Sequence, residues 1–194
     1  VMATYNGEKY ILEQLNSILS QTYYVDEIVV VDDSSTDSTF SILSSLCSTY
    51  SQIKLFRNDI NIGVRKTFEK ALICSTGDFI ALSDQDDVWF SNKIEVLIHG
   101  IGSAMLAHSD SMIVDSELNI ISRSHFRSSK KLKKVTFFDY LVNSNITGCT
   151  MLIRRELLSV CLPFSTYSLP HDWYLAYYAA YKNAIIFINQ PLML

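Results

Sequence analysis

The sequence predicts an α/β fold, a single domain built on a Rossmann-like, mostly parallel sheet flanked by helices. Three observations carry that reading. Short β-branched runs alternate with helix-periodic stretches through the first half of the chain. The run Ile28-Val29-Val30-Val31 is apolar at every position, as a strand covered on both faces should be. Polar and acidic clusters follow the apolar runs directly, which puts them at the carboxyl ends of strands.

Taken in order, Val1-Met2-Ala3 reads as the end of a buried strand. Glu8 to Gln21 reads as a helix with Ile11, Leu15, Ile18 and Leu19 on one face. Asp32-Asp33-Ser34-Ser35-Thr36-Asp37 closes the strand at 28–31, and its Ser and Thr can cap a helix from about Asp37 to Ser48. A strand near Ile53 to Phe56, a loop through Asn58, Asn61 and Gly63, and a helix from about Val64 to Cys74 follow. Gly77 closes that helix, and the strand Phe79 to Leu82 runs into Ser83-Asp84-Gln85-Asp86-Asp87. A further helix starts near Ser91.

The second half is less regular. Met112 to Val114 and Asn119 to Ser122 are expected to pair as a hairpin, and Ile146 to Ile153 to form a strand. Asp172 to Tyr181 reads as a helix entered after Pro170, and Ala184 to Ile188 as a final strand. The polar, basic residues 124–136 are expected to form a mobile loop. Both ends read as cut, so a longer protein is expected.

At 194 residues the chain can bury a sizeable core, and 48% hydrophobic against 19% charged residues describes globular protein rather than disorder. Sixteen Lys and Arg against 20 Asp and Glu leave a net charge of −4, so no nucleic-acid partner is expected. Lys130, Lys131, Lys133 and Lys134 form the one cationic cluster. It reads either as a solvated loop or as a contact for anionic lipid or a diphosphate-bearing acceptor. Cys47, Cys74, Cys149 and Cys161 lie far apart, without zinc-ligand spacing, and read as reduced thiols, mostly buried. No run reaches the roughly 18 apolar residues of a membrane helix. A cytoplasmic location is expected, with peripheral contact at the inner face of the membrane the furthest extension of it.

Ligands of open α/β sheets bind in the crevice outside the carboxyl ends of the strands. Thr4-Tyr5-Asn6, Asp32-Asp33 and Asp84-Gln85-Asp86-Asp87 all fall at such ends. The three carboxylates of the last cluster repel one another unless a cation sits among them. A hard divalent ion, Mg²⁺ or Mn²⁺, suits oxygen ligands, and its usual partner is a substrate diphosphate. The alternative is a solvated acidic turn before the next helix. Asp32-Asp33 is either a capping turn or a carboxylate acceptor for a nucleobase N–H or ribose hydroxyls, and Tyr5 either stacks on that base or packs. His171-Asp172-Trp173 is either a helix cap or a functional pair. Gly148 with Arg154 and Arg155 is either a phosphate cradle or a solvated helix start.

Together, Met2-Ala3-Thr4-Tyr5-Asn6-Gly7, Glu27 to Asp37, Asn61-Ile62-Gly63-Val64, Gly77 to Trp89 and His171-Asp172-Trp173 resemble the family 2 glycosyltransferases of the GT-A fold. Within that family the chain looks most like bacterial enzymes of surface-polysaccharide assembly, rhamnosyltransferases among them. The resemblance implies a nucleotide-binding half at about 1–103 and an acceptor half at about 104–194 of one catalytic domain. It implies that Thr4, Tyr5 and Asp33, with Asp32 beside it, hold the base and ribose of the donor. Asp84 and Asp86 become the outer members of the DxD motif, with Asp86 the direct metal ligand and Asp84 beside it. Asp172 becomes the catalytic base of an inverting displacement. The implied partners are a nucleotide-diphosphate sugar, such as a UDP- or dTDP-sugar, and a glycan or lipid-linked acceptor.

Two departures from the family pattern stand out. Ser34 occupies a position where Gly is common, a mild change if its backbone angles are ordinary. Ala3 replaces a frequent Pro. Rival classes fit less well. A sugar nucleotidyltransferase needs a Gly-rich phosphate loop near its first strand, and Thr4 to Lys9 holds one Gly. A phospho-acceptor domain needs its Asp after the third strand, where Phe56-Arg57-Asn58 stands. A non-catalytic member that binds donor without turnover is the remaining alternative, against which every expected acidic position is filled.

Overall fold

The computed structural model describes residues 1–125, 146–164 and 169–194. Strands β1 (Met2–Thr4), β2 (Ile28–Asp32) and β3 (Ile53–Arg57) pair in parallel, in that order across the sheet. The alternation of β2 divides its apolar run between two layers. Ile28 and Val30 pack with Ile11 and Leu15 of helix α1 (Ile11–Leu19) and Leu43 of α2 (Thr39–Thr49). Val29 and Val31 face Ala71 of α3 (Val64–Cys74) on the opposite side. Covering on both faces is why the run is apolar throughout and why β2 is buried along its length.

A parallel bridge between Met2 and Ser83, with the Ser83 N–H donating to the Val1 carbonyl at 3.0 Å, carries the sheet on to β4 (Phe79–Ala81). Beyond β4 come β8 (Met151–Arg154), β5 (Leu106–Asp110) and β9 (Ile185–Pro191). β8 is antiparallel to both its neighbours, whereas β5 and β9 are parallel. The sheet is therefore mostly parallel, with one reversed strand threaded into its second half. Helix α4 (Lys93–Ile101) packs on β5 and β8 through Leu97 and Ile101. A short α5 (Leu158–Cys161) and α6 (His171–Tyr181) close the largest core cluster around Phe68, Leu72, Met151 and Leu175. Full burial of each such side chain stabilises the fold by about 1.5–3 kcal/mol. The expected hairpin is present as β6 (Ile113–Val114) and β7 (Ile120–Ser122). Among the described residues no helix is long and apolar enough to cross a membrane.

Four readings of the sequence need correction. The strand expected over Ile146 to Ile153 begins only at Met151, because Gly148–Thr150 forms a 3₁₀ turn closed by the Thr150 N–H on the Thr147 carbonyl. β5 was not foreseen, since Leu-Ala-His-Ser-Asp lacks β-branched residues, yet all five positions are buried. Ser34 does not have ordinary backbone angles. It sits at φ 64°, in the left-handed region where an L side chain costs about 1–2 kcal/mol. That conformation turns the chain after β2. Helix α2 is capped from Asp37, whose Oδ1 accepts the Thr39 N–H at 3.0 Å, rather than from a Ser or Thr hydroxyl. The lysine cluster and most of the 124–136 segment lie outside the described residues.

Candidate active site

The carboxyl ends of β1, β2 and β4 open on a cleft of about 350 Å³. Thr4, Tyr5, Asp33, Gly63, Asp84 and Asp86 line it, so most of the candidate residues are brought together. Tyr5 is 44% exposed, which leaves its ring face accessible from the cleft. Asp32 is not among the lining residues. As the last residue of β2 it lies opposite Arg57 in β3, and its buried carboxylate meets the Arg57 Nε at 3.1 Å and the Ser35 N–H at 3.1 Å. Asp32 is a cross-strand ion-pair partner, oriented away from the cleft by strand alternation.

Asp33 occupies the cleft wall but is already engaged by its own chain. Its Oδ1 accepts from Asn58 Nδ2 at 2.8 Å and the Ile62 N–H at 2.9 Å, and its Oδ2 accepts the Gly63 N–H at 2.8 Å. Partial burial works to raise its pKa, but the bonds from Ile62, Asn58 and Gly63 outweigh it and hold the carboxyl below the usual range. Asp33 thereby anchors the Asn61-Ile62-Gly63 loop, where Gly63 supplies a φ of 85°. The lone-pair capacity left on Oδ2 is what a ligand could use.

The middle residue of the DxD motif, unassigned from sequence, ties the first loop to the third. Gln85 Oε1 accepts from the Thr4 hydroxyl at 2.6 Å and the Tyr5 N–H at 3.0 Å. A Cβ at position 7 would lie 2.5 Å from that oxygen, so only Gly7 leaves room for the Gln85 amide. From below, Gln14 of α1 holds the same loop. In the amide orientation that satisfies all its neighbours it bonds Ser17, Ser83, the Asp87 carbonyl and the Trp89 indole. The Asp84–Asp87 turn is thus fixed from both sides by glutamines. Nothing in residue type alone distinguishes such glutamines from surface polar residues.

The carboxylates of that turn lack comparable compensation. Burial, then the charge of Asp86, pushes the Asp84 carboxyl up. Burial and the charge of Asp84 raise Asp87 to about 7. Asp87 Oδ2 is buried with no hydrogen-bond partner among the described residues. Asp86 is exposed on the cleft side. Like-charged oxygens crowded together, with one orphaned lone-pair site, form a hard donor set that suits Mg²⁺ or Mn²⁺. Behind them lies Lys93, fully buried, whose pKa burial lowers to about 8 against the opposing charges of Asp87 and Asp84. Burial also pushes the Cys149 thiol well up, which keeps it protonated.

Asp172, in the far half of the chain, is not among the residues that line the cleft, and its link to the acidic turn is through its charge. Its negative charge acts on Asp84, and its two carboxylate oxygens accept the Gly148 N–H at 3.2 Å and the Trp173 N–H at 2.9 Å. Gly148 permits this approach, since a Cβ there would sit 3.1 Å from His171 Nε2 and 3.4 Å from Asp172 Cβ. His171 stacks on Phe68 at 4.0 Å between centroids, and burial lowers its pKa against the pull of Asp172, so it stays neutral and orients the helix start. The phosphate-cradle reading of the arginines does not hold. Arg154 donates to the Ala104 and Gly102 carbonyls and Arg155 to the Gly77 carbonyl and Ser75, so both brace loops at the opposite ends of β4 and β5.

Known proteins resemble this chain along most of its length. The chain is 34% identical over 191 residues to the UDP-Glc:alpha-D-GlcNAc-diphosphoundecaprenol beta-1,3-glucosyltransferase WfgD of Escherichia coli, covering 97% of this chain and 72% of that protein. It is 30% identical over 218 residues to the dTDP-rhamnosyl transferase RfbG of Shigella flexneri, covering all of this chain and 70% of the relative. Among solved structures, S. aureus TarS superposes with a TM-score of 0.75 at 24% identity, over 99% of this chain and 58% of that one. A mannosyltransferase from Pyrobaculum calidifontis, solved with GDP-Man and Mn²⁺, gives a TM-score of 0.73 at 22% identity, over 98% of this chain and 53% of its own. The chain therefore spans little more than half of these solved structures, and the fold it shares with them is of the GT-A type. The model of the glycosyl transferase family 2 matches residues 1–162, and with the relatives above it establishes that the chain belongs to that family.

Proposed function

We propose that this chain is the catalytic core of an inverting, metal-dependent glycosyltransferase that moves a sugar from a nucleoside-diphosphate donor to an acceptor hydroxyl. One observation carries the proposal. The uncompensated carboxylates of the Asp84–Asp87 turn share a cleft with Thr4, Tyr5 and Asp33, and Asp172 acts electrostatically on the same turn. In this reading Tyr5 stacks on the base, the free acceptor capacity of Asp33 faces the base or ribose, and Thr4 shapes the wall. Asp86, with Asp84, holds the cation. When bound, a divalent ion supplies Lewis-acid stabilisation of the departing diphosphate.

Asp172 takes the proton of the acceptor hydroxyl as its oxygen forms the new bond to the anomeric carbon. The bond from that carbon to the diphosphate oxygen breaks on the opposite face, which inverts the configuration. The relatives named above use UDP- and dTDP-sugars by name, and TarS has been solved with UDP. They support a uridine or thymidine diphosphate sugar as donor. The diphosphoundecaprenol in the name of WfgD supports a lipid-linked glycan acceptor, and with it a role in bacterial surface-polysaccharide synthesis.

Titration of the full-length protein with a panel of nucleoside diphosphates, with and without Mn²⁺, tests the reading. UDP or dTDP should bind, more tightly with Mn²⁺, and Asp86→Ala should abolish the Mn²⁺ enhancement while leaving the fold intact. Nucleotide affinity indifferent to both the metal and the substitution would refute the metal assignment. With an acceptor in hand, NMR of the product must show the anomeric configuration opposite to the donor's.

A further inference from the structure

We propose that Lys93 is the resident counter-charge of the acidic turn, a positioning residue that offsets Asp87 and so sets how much negative charge remains for a divalent cation. The proposal rests on the cation reading of the same turn, and it concerns a residue to which that reading gives no role.

Lys93 opens α4, yet its side chain has no exposure to solvent. The ammonium donates to the Cys149 carbonyl at 2.5 Å, contacts the Met193 sulfur at 3.2 Å and lies 4.0 Å from the Trp89 ring centroid. These contacts join three separated parts of the chain: the start of α4, the 3₁₀ turn at Gly148–Thr150 and the residues after β9. All three are neutral. A carbonyl, a thioether and a π face compensate a buried ammonium only in part, and a buried ion left without full compensation destabilises the fold. The remaining compensation has to be anionic.

The anionic groups that act on Lys93 are Asp87 and Asp84, with the Cys149 thiol between them. Ligand atoms of Asp84, Asp87 and Cys149 all lie within 4.8 Å of one another. Asp87 Oδ2 is itself buried and lacks a hydrogen-bond partner among the described residues. The lysine and this carboxylate are thus each incompletely satisfied by their other contacts, and each acts on the other. The charge of the turn follows. Fully ionised, Asp84, Asp86 and Asp87 carry −3, Asp172 adds its own charge to them, and Lys93 removes one unit of negative charge from that sum. Lys93 also lies on the interior side of the turn, where it cannot be exchanged with solvent, while the cation enters from the cleft.

The test uses full-length protein carrying Lys93→Met, Asp87→Asn, or both. It reads the cation-free Tm and the affinity for Mn²⁺ alone, measured from free Mn²⁺ by EPR. Lys93→Met should lower the Tm by about 6 °C or more, and adding Asp87→Asn should restore most of that loss. The single variant should bind Mn²⁺ at least about threefold more tightly than wild type, because a fixed positive charge has left the site, and the double variant should return toward wild type. Weaker Mn²⁺ binding in Lys93→Met, together with no rescue by Asp87→Asn, would mean that Lys93 merely props the turn through the Cys149 carbonyl, and would overturn the proposal. If Lys93→Met does not fold, the remaining two variants decide. Asp87→Asn alone should then be less stable than the double variant, and the reverse order would overturn the pairing. A wild type that binds no Mn²⁺ would defeat the cation reading, and the charge pairing would be judged on the Tm order alone.

Discussion

Two acidic loops stand at neighbouring strand ends of this protein, one after β2 and one after β4, and they treat their charges in opposite ways. At the first, both carboxylates are engaged by charged or N–H donors of the protein, although Asp32 Oδ1 is buried without a hydrogen-bond partner among the described residues. Asp32 is paired with Arg57, and Asp33 accepts three hydrogen bonds that hold its pKa down. At the second, burial and the charge of Asp86 push Asp84 up, burial and the charge of Asp84 push Asp87 up, and one oxygen of Asp87 has no hydrogen-bond partner among the described residues. An acidic cluster satisfied by its own chain is architecture, and it shapes a wall for a ligand. An acidic cluster left in mutual repulsion is stabilised as a set of anions by an added cation. The sequence Asp-Asp in one loop and Asp-x-Asp-Asp in the other does not by itself reveal which is which.

The difference is broken most severely at the second loop. Asp172 adds its charge to that loop and is the proposed base, so Asp172→Asn in the full-length enzyme should lower kcat by about 10²–10⁴-fold with donor affinity nearly unchanged. Near-normal turnover would place the base elsewhere. At the first loop the same logic predicts losses of stability rather than of chemistry. Arg57→Met should destabilise by about 2–3 kcal/mol in urea unfolding, below the range for fully buried pairs because the Arg57 side chain is 44% exposed. A neutral response would show that Asp32 is compensated by its backbone contact alone.

Asp33→Asn should cost about 2 kcal/mol, since it weakens charge-assisted bonds to the Asn61-Ile62-Gly63 loop. It should also change the pH profile. The pKa of Asp33 is depressed in the fold, so its contribution is present above the ordinary carboxylate range and is lost as pH falls through the depressed value. Wild-type stability should therefore fall on acidification below about pH 4, and the variant should fall less steeply over the same range. The smallest effect is expected at Ser34. Its φ of 64° suits glycine, so Ser34→Gly should stabilise the protein by about 1 kcal/mol, visible as a small rise in Tm.

The sequence by itself determined the front of the molecule. Periodicity marked α1 and α3, the unbroken apolar run marked β2, and the acidic clusters fell at strand ends because strands and their loops are local in the chain. These features depend on residues within one or two turns of each other, which is the range over which pattern is informative. Tertiary structure alone decided the rest. β5 is a strand because β8 and β9 flank it, although its Leu-Ala-His-Ser-Asp composition argues for no element at all. Asp32 and Asp33 are adjacent and identical in type, yet backbone alternation at the end of β2 sends one to Arg57 and the other to the cleft. Gln85 and Lys93 took on their meaning only from partners 81 and 56 residues away, at Thr4 and Cys149. Burial and electrostatic compensation depend on what surrounds a group in space, and for those two residues the surroundings are remote in the chain.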